Sequence, residues 1–452
     1  MFSTNMLAVF ALSVILFLFV LIYYLDKKGM NWNLQFVIAM VAGLAVGFAF
    51  RDNKYFSNNL IYVSLIGDIY IGLTKAIVAP LIFLTIISSV TSLEGTSRLR
   101  QLGGKSIFWL IFQTFLAVVL AMAVCIPLKI GADAGALTST YNPQTYANIG
   151  TQFTDVVRDF FPQNVFNELA NNKVIPIIIT ALALSVAYMV IPDKKKIEPF
   201  RDVVLAAKEL VFKIVGFIID LIPYAILALA ADMGGNIGSN WESARSLLSV
   251  IVLIIVLCLF QGFVISGLLI RFVAKLNPVR FFQKIPDVLV MGFTTQSTLA
   301  SLPTIINALT RRIGVKEETA NFTASLGSTM GMPGCAGIWP IVLSIFAINY
   351  VGIEYSVIQY ITLGLIAVAV SFGTAGVSGT AIITATAVFT TAGLPLEVMV
   401  LLLPITFIVG CFRTIPNVIC ATSAATIVAR RTGTLDDTIF NAVSGKEEYA
   451  AE

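Results

Sequence analysis

Long apolar stretches recur along the chain and alternate with short polar segments. A helix that spans a membrane needs about 20 mostly apolar residues. Uninterrupted stretches close to that length predict spanning helices over residues 7–24, 34–50, 69–93, 106–130, 174–191, 205–230 and 247–269. The first stretch lacks a basic leader and a small-residue cleavage site, so we expect a retained helix and not a signal peptide.

The pattern changes after residue 287. The stretches 288–309 and 357–394 are apolar but interrupted near their middles by Ser, Thr and Gly, and each precedes a long stretch, 320–349 or 396–429. Interrupted segments in corresponding positions of two halves are typical of transporters that bind solute near the membrane midplane. We therefore predict an all-α polytopic membrane protein with about nine transmembrane helices, two re-entrant helical hairpins and inverted repeats.

Composition agrees with a surface that faces lipid. The 452 residues are 58% hydrophobic and 12% charged, whereas soluble domains carry about 25% charged residues. The net charge of +4 is spread along the chain and predicts no nucleic-acid partner. Histidine is absent, and the five cysteines have no metal or disulfide spacing. We see no nucleophile–base pair, so we expect a protein that is not an enzyme and has no covalent cofactor.

Lysine and arginine are distributed unevenly between the two sets of loops. With the N-terminus outside, 20 of the 29 basic residues fall in cytoplasmic segments and six fall outside. Cytoplasmic loops carry the excess of Lys and Arg, so we predict an extracytoplasmic N-terminus and a cytoplasmic C-terminus. The same bias requires the first hairpin to enter from the cytoplasm and the second from outside.

Polar and glycine residues interrupt both hairpins at their tips. The tip of the first hairpin contains Thr295, Gln296, Ser297 and Thr298. The tip of the second hairpin contains Gly376, Val377, Ser378 and Gly379. Non-helical backbone at membrane depth is tolerated only where it is buried in protein or lines a cavity. We predict that both tips line a solute cavity. The alternatives are a polar seam between helices at the first tip and a small-residue packing face at the second.

A Pro/Gly cluster and a lone arginine lie in the two stretches that follow the hairpins. Residues 331–337 would break their helix and free carbonyls that can coordinate a cation, although a simple kink is the alternative. Arg413 lies about 17 residues from either end of its apolar stretch, where a charge costs at least about 2.5–3.5 kcal/mol. No acidic residue lies between Glu397 and Asp436. This favours a solute carboxylate over a structural salt bridge as its partner, and Asn417 adds an amide one turn further on.

Several motifs together resemble the dicarboxylate/amino acid:cation symporters, the glutamate-transporter-like family, from about residue 33 onward. They are Pro80–Thr85, the Ser/Thr tip before Leu302-Pro303, Gly373–Val377, and Arg413-Thr414 with Asn417. Within that family the chain looks most like the bacterial L-cystine symporter branch. The features that carry this are Asn277-Pro278, Asn321–Gly327, Gly334–Gly337 and the extra N-terminal helix.

The resemblance implies a homotrimer in the cell membrane whose protomers work as elevators. Residues 1–33 would form an extra helix and loop, 34–280 scaffold helices interleaved with early transport-domain helices, 281–431 the core transport domain, and 432–452 a cytoplasmic tail. The solute would be a small amino acid or related carboxylate, and a cystine-like solute is the first choice. It would contact both hairpin tips and also Cys335, Gly410, Arg413, Thr414 and Asn417. One sodium ion would be held by Gly327, Thr329, Met332, Ser371, Thr374 and Asn417.

The chain departs from the family pattern at charged positions. Pro333, Thr406, Gly410 and Ala421 stand where the family carries aspartates, and Gln296 stands where it often carries arginine. Two family cation sites thereby lose their carboxylates, which weakens the expectation of sodium coupling. A dicarboxylate carrier and a cation-independent facilitator or exchanger remain alternatives, and a channel is less expected because the polar residues cluster at one depth.

Overall fold

The computed structural model describes residues 2–30, 32–50, 54–91, 97–132, 161–237, 241–374, 376–403 and 405–442. Throughout these ranges the secondary structure is helical, apart from turns and one isolated β-bridge between Val315 and Leu435. The prediction of an all-α protein is confirmed. Several predicted features extend outside the described ranges. They include the end of the stretch 69–93, Ala375 in the segment 373–377, Pro404 in the stretch 396–429 and the tail beyond residue 442.

The first half contains eight α-helices within the described ranges. They are α1 (Phe2–Lys27), α2 (Trp32–Phe50), α3 (Lys54–Thr91), α4 (Ser97–Leu128), α5 (Val165–Ala170), α6 (Val174–Val190), α7 (Lys194–Asp220) and α8 (Ile222–Ile237). The predicted span 205–230 is therefore two helices that meet at Leu221. The chain makes a tight turn at Leu221, whose N–H donates to the carbonyl oxygen of Ile218. Pro223, two residues later, lacks a backbone N–H and so cannot extend the first helix's hydrogen-bond pattern.

The second half has breaks between helices at both predicted hairpin tips and at the Pro/Gly cluster. Its α-helices are α9 (Trp241–Leu259), α10 (Ser266–Phe272), α11 (Pro278–Gln283), α12 (Pro286–Thr295), α13 (Leu302–Asn307), α14 (Glu317–Gly327), α15 (Trp339–Val351), α16 (Val357–Val370), α17 (Thr380–Thr391), α18 (Leu396–Leu402), α19 (Ile405–Thr432) and α20 (Asp437–Asn441). Wider π-helical turns lie at Phe260–Ile265, Ala308–Ile313 and Pro333–Ile338, and a 3₁₀ turn at Ser371–Gly373.

The final apolar stretch differs from the prediction of a single helix. Leu396–Leu402 forms the separate short helix α18, and the last long helix begins only at Ile405. Arg413 therefore lies about two turns from the start of α19, and not in the middle of a longer helix.

Six continuous helical segments in the described ranges, some of them made of two or three successive elements, are long and apolar enough to cross a membrane. They cover Leu65–Ser88, Leu102–Leu128, Lys194–Ala231, Leu247–Phe272, Pro333–Val351 and Ile408–Thr432. Shorter apolar helices include both arms of the second hairpin, Val357–Gly373 and Thr380–Thr391. The chain is a multi-pass membrane protein.

One face of α9 carries exposed apolar side chains at every fourth position. Leu248, Val252 and Val256 are 60%, 53% and 55% exposed. In a helix this spacing places the side chains on one face. A stripe of this kind on a membrane protein suits contact with lipid tails.

Among the residues that the structure describes, the buried apolar side chains form two clusters. The smaller one joins α1, α2, α3 and α8, and its members are Ile15, Ile22, Ala39, Val46, Val63, Leu227, Ala228 and Ala231. Gly43 allows α2 and α8 to pack closely, since a Cβ there would lie 2.6 Å from the carbonyl oxygen of Leu227. The larger cluster surrounds α15 and α19, and every residue from 413 to 429 is buried.

Residues 434–442, here called the C-terminal strap, fold back onto the foot of the first hairpin. The N–H of Lys316 donates to Thr434 O at 2.9 Å, and the N–H of Asp436 donates to Gly314 O at 2.8 Å. The buried Lys284 donates to the carbonyls of Ile439 and Ala442 at 3.1 and 3.2 Å. Burial, together with the nearby guanidinium groups of Arg280 and Arg312, lowers the pKa of Lys284.

Candidate functional site

Arg413 lies inside the protein without a carboxylate partner in the described ranges. Its side chain is 4% exposed, and Nη2 donates to the carbonyl oxygen of Thr406 at 2.8 Å. The Nε and Nη1 groups have no hydrogen-bond partner. Leaving two buried donor nitrogens of a cation unpaired is costly, so this guanidinium is suited to receive an anionic oxygen from a ligand.

An aromatic ring and a glycine fix the position of Arg413. The guanidinium carbon lies 4.2 Å from the centroid of Trp339, within the range of a cation–π interaction. A Cβ on Gly334 would overlap the carbonyl oxygen of Arg413, so the broken helix and α19 pack backbone to backbone at this point. Trp339 and the Thr406 carbonyl were not among the predicted site residues.

The side-chain amide of Gln296 lies beside Arg413 and packs against the backbone at Gly410. A Cβ on residue 410 would overlap Gln296 Oε1, and Arg413 Nη2 lies 3.5 Å from the same point. The other end of the amide, Nε2, donates to Cys411 Sγ at 3.2 Å. The missing side chain at position 410 is therefore what makes room for Gln296.

The two hairpin tips meet at Gly376. Its carbonyl oxygen accepts from Ser297 Oγ at 2.8 Å and from the N–H of Leu299 at 2.9 Å, while its own N–H donates to Ser328 O at 2.8 Å. A Cβ on Gly376 would lie 2.5 Å from Ser328 O. Only glycine allows this approach, and the contact brings both tips to the break between α14 and α15.

Asn417 ties α19 to the broken helix. Its Oδ1 accepts from the N–H of Gly334 at 2.8 Å, and its Nδ2 donates to Cys335 Sγ at 3.1 Å. Asn417 and Cys335 thus pair with each other beside Arg413. Thr414 is turned inward and donates to Gly410 O at 3.0 Å.

The remaining tip residues differ in their surroundings. Thr298 is buried and its hydroxyl has no hydrogen-bond partner, as is also true of the Ser378 hydroxyl. Thr295 instead donates to Met291 O at 2.7 Å within its own helix. Val377 and Gly379 are half-buried, and a Cβ on Gly379 would lie 2.9 Å from Ile222. The second tip therefore also touches α8.

The predicted sodium ligands surround the same break. The N–H of Gly331 donates to Ser371 O at 3.2 Å, and Met332 O accepts from the N–H of Ala336 at 2.8 Å. Thr374 Oγ1 donates to Val370 O at 3.0 Å. Thr329 is half-buried and donates to Leu326 O at 3.1 Å, while Gly327 packs on Ala421 of α19. Neutral oxygens make up this group.

Comparison with known proteins identifies the family. The model of the sodium:dicarboxylate symporter family matches residues 33–431. This chain belongs to the sodium:dicarboxylate symporter family. The L-cystine uptake protein TcyP of Bacillus cereus is 30% identical over 449 residues, which cover 95% of this chain and 96% of that protein. An uncharacterized symporter of Haemophilus influenzae is 29% identical over 419 residues, covering 90% and 94% of the two chains.

Membership identifies the chain as a secondary transporter of the membrane and not an enzyme. A further TcyP, from Shouchella clausii, is 28% identical over 443 residues and covers 93% of each chain. The predicted resemblance is confirmed. As a member of a symporter family, the protein transports a small-molecule substrate, and its own surface contacts membrane lipid.

A second buried polar cluster of this symporter was not predicted. Gln113 Oε1 accepts from Ser266 at 3.2 Å and from Ser423 at 3.0 Å, and Gln261 donates to Gln113 O at 3.2 Å. A sequence signal existed, because both glutamines interrupt long apolar runs. The cluster joins α4, α9–α10 and α19, and most of its polar groups satisfy one another.

Proposed function

We propose that this symporter carries a small amino acid or related carboxylate, with L-cystine-like solutes first. The observation that carries the proposal is the buried guanidinium of Arg413, whose Nε and Nη1 have no hydrogen-bond partner. A planar, permanently charged guanidinium with unpaired N–H groups on Nε and Nη1 is suited to bind a carboxylate. The names of the TcyP relatives add L-cystine as the first solute to test.

The two hairpins would cover the solute and act as gates. In support, the tips contact each other through Gly376 and lie beside the break between α14 and α15. Residues 281–431 would form the core of a transport domain that slides against scaffold helices within residues 34–280. The protein would be a homotrimer in which each protomer makes this elevator movement. The N-terminus would lie outside and the C-terminus in the cytoplasm.

A single sodium ion would couple to the solute at most. The candidate ligands Gly327, Thr329, Met332, Ser371, Thr374 and Asn417 offer carbonyl, hydroxyl and amide oxygens, and Met332 O, Ser371 O and Asn417 Oδ1 already accept hydrogen bonds. Broken helices can bind cations with such carbonyls. The ion would therefore need the solute and a rearranged second tip to complete its shell.

A dicarboxylate or other carboxylate without an amino group is the second candidate. Between residues 320 and 429 the only acidic residues are Glu354 and Glu397, so the core offers no carboxylate to a substrate ammonium. A carrier of this kind, with or without sodium, would need only Arg413 and hydroxyl donors.

Uptake into liposomes that contain the purified protein tests the proposal. We expect saturable uptake of L-cystine that is stimulated by solute on the opposite side, and loss of binding in Arg413→Ala with the unfolding temperature nearly kept. Arg413→Lys should restore binding only weakly, because an ammonium cannot form the two-pronged contact. Equal affinity in Arg413→Ala and the wild type would exclude this site, and an ohmic current would indicate a channel.

A further inference from the structure

The tip of the first hairpin holds Gln296 in an unusual backbone conformation. Its φ is +53°, in the left-handed region, and its N–H donates to Gly292 O at the end of α12. Glycine adopts this region at lower cost than any side-chain-bearing residue. Residues held in this region cluster at functional sites, and the contacts of the Gln296 amide indicate what its side chain does there.

The amide is fixed at both ends. Nε2 donates to Cys411 Sγ at 3.2 Å, which turns Oε1 toward Gly410 and Arg413 Nη2. The opposite assignment of the amide would place its positive end beside a guanidinium, so electrostatics favours the arrangement described. Oε1 is thus a neutral acceptor next to the buried cation.

We propose that Gln296 Oε1 accepts a hydrogen bond from the amino group of the solute, and that Gly410 permits this by carrying no side chain. The inference rests on the proposed function, in which Arg413 binds the solute carboxylate. In an α-amino acid the amino group is attached to the carbon beside the carboxylate, so the partner of each group must be close to the other. Gln296 Oε1 meets that condition.

Gln296 then determines the substrate class. An amino acid gains a contact at Oε1, whereas a carboxylate without an amino or hydroxyl group leaves this acceptor facing the solute unpaired. A hydrogen bond to a charged group is worth about tenfold or more in affinity. The site therefore prefers amino acids over their deaminated counterparts, which separates the two candidates for the transported solute.

The test measures competition for uptake by matched pairs: L-cystine with 3,3′-dithiodipropionate, and L-aspartate with succinate. We expect the wild type to prefer the amino-bearing member of the pair it carries by about tenfold or more. Gln296→Leu should bring that ratio close to one. Gln296→Glu should raise it, because a carboxylate binds an ammonium more strongly than an amide does.

Gly410→Ala supplies a second, independent variant. Its methyl group would displace Oε1, so it should reduce the ratio as Gln296→Leu does, and the double variant should lose no more than either single one. Gly216→Ala is the matched control, since a Cβ there meets nothing within 4 Å, and its ratio should equal that of the wild type.

Two results would overturn the inference. An unchanged ratio in Gln296→Leu or Gly410→Ala, with uptake and its dependence on Arg413 intact, would refute the role of Gln296 and leave the proposed function standing. A wild type that transports neither member of either pair would refute the proposed function, and this inference with it.

Discussion

At the residue scale, position 334 lies so close to the carbonyl oxygen of Arg413 that a Cβ would overlap it. The same residue donates its N–H to Asn417 Oδ1 at 2.8 Å. The guanidinium is therefore held by main-chain packing on one side and by the Trp339 ring on the other. A substitution at Gly334 should therefore change solute affinity, although Gly334 itself has no side chain.

We predict that Gly334→Ala destabilises the protein by about 1–3 kcal/mol or more, because extra volume in a packed interior forces the backbone apart. Solute affinity should fall as well, since α19 must move. Thermal unfolding in detergent and a binding titration measure the two effects. Gly216→Ala, in open space, should lose neither, and equal behaviour of the two variants would contradict the packing argument.

At the scale of elements, the hairpin tips and the Pro/Gly break were predicted because polar residues and Pro/Gly clusters stand out in apolar runs. The split of the last stretch into α18 and α19 was missed because both helices are apolar, although Pro404 directly before α19 was a sequence signal for it. The break at Leu221 had a signal in Pro223 two residues later.

The partners of Arg413 were beyond reach of the sequence for another reason. Periodicity indicates which face of a helix is buried, but not which residue of another helix lies against it. The Trp339 ring and Gln296 lie far from Arg413 along the chain and meet it only in the folded protein. The site residues could be nominated one by one, whereas their pairing required the structure.

The C-terminal strap is a second element that the sequence indicated only as a tail. Two backbone N–H groups, of Thr438 and Ile439, donate to Asp436 at the start of α20 and hold the pKa of its carboxyl below the usual range. A depressed carboxyl pKa contributes stability above the unfolded value of about 4, and this contribution is lost as pH falls. The folded conformation of the C-terminal strap should therefore be more stable at neutral pH than at acidic pH.

Gly314→Ala tests the contact between the strap and the hairpin foot. Gly314 has φ +88°, and a Cβ there would lie 2.7 Å from Asp436 O and 2.9 Å from Ile439 Cβ. Gly433 also has a positive φ, +66°, but its Cβ would meet nothing within 4 Å. A left-handed alanine costs about 1–3 kcal/mol in either place. We expect Gly314→Ala to lower the unfolding temperature further than Gly433→Ala, and equal losses would argue against the strap.

At the scale of the whole molecule, orientation in the membrane remains a prediction from the loop charges. A membrane-impermeant thiol reagent should label Ser3→Cys from outside intact cells and Lys195→Cys only after the cells are opened. The wild type, with Cys125, Cys258 and Cys420 buried and Cys335 and Cys411 half-buried, measures the background. Labelling of Ser3→Cys from the inside alone would reverse the topology.

Coupling to sodium is the second property of the whole molecule. Hard cations take about six oxygen ligands, and by analogy sodium binds tightly where carboxylates compensate its charge. Here the region 320–429 holds only Glu354 and Glu397, and α18 and α19 place Glu397 outside the helix that carries Arg413. A bound ion would therefore depend on neutral oxygens such as Ser371 O and on the carboxylate of the solute itself.

We expect at most one sodium ion per solute, with ion and solute binding only together. Neutral oxygens that already accept hydrogen bonds, as Met332 O and Asn417 Oδ1 do, can hold an ion weakly but cannot offset two charges beside the Arg413 guanidinium. Reversal potentials of the reconstituted protein, measured over several sodium gradients and membrane potentials, give the stoichiometry directly. Values that require two or more sodium ions per solute would mean that residues outside this set supply a second site.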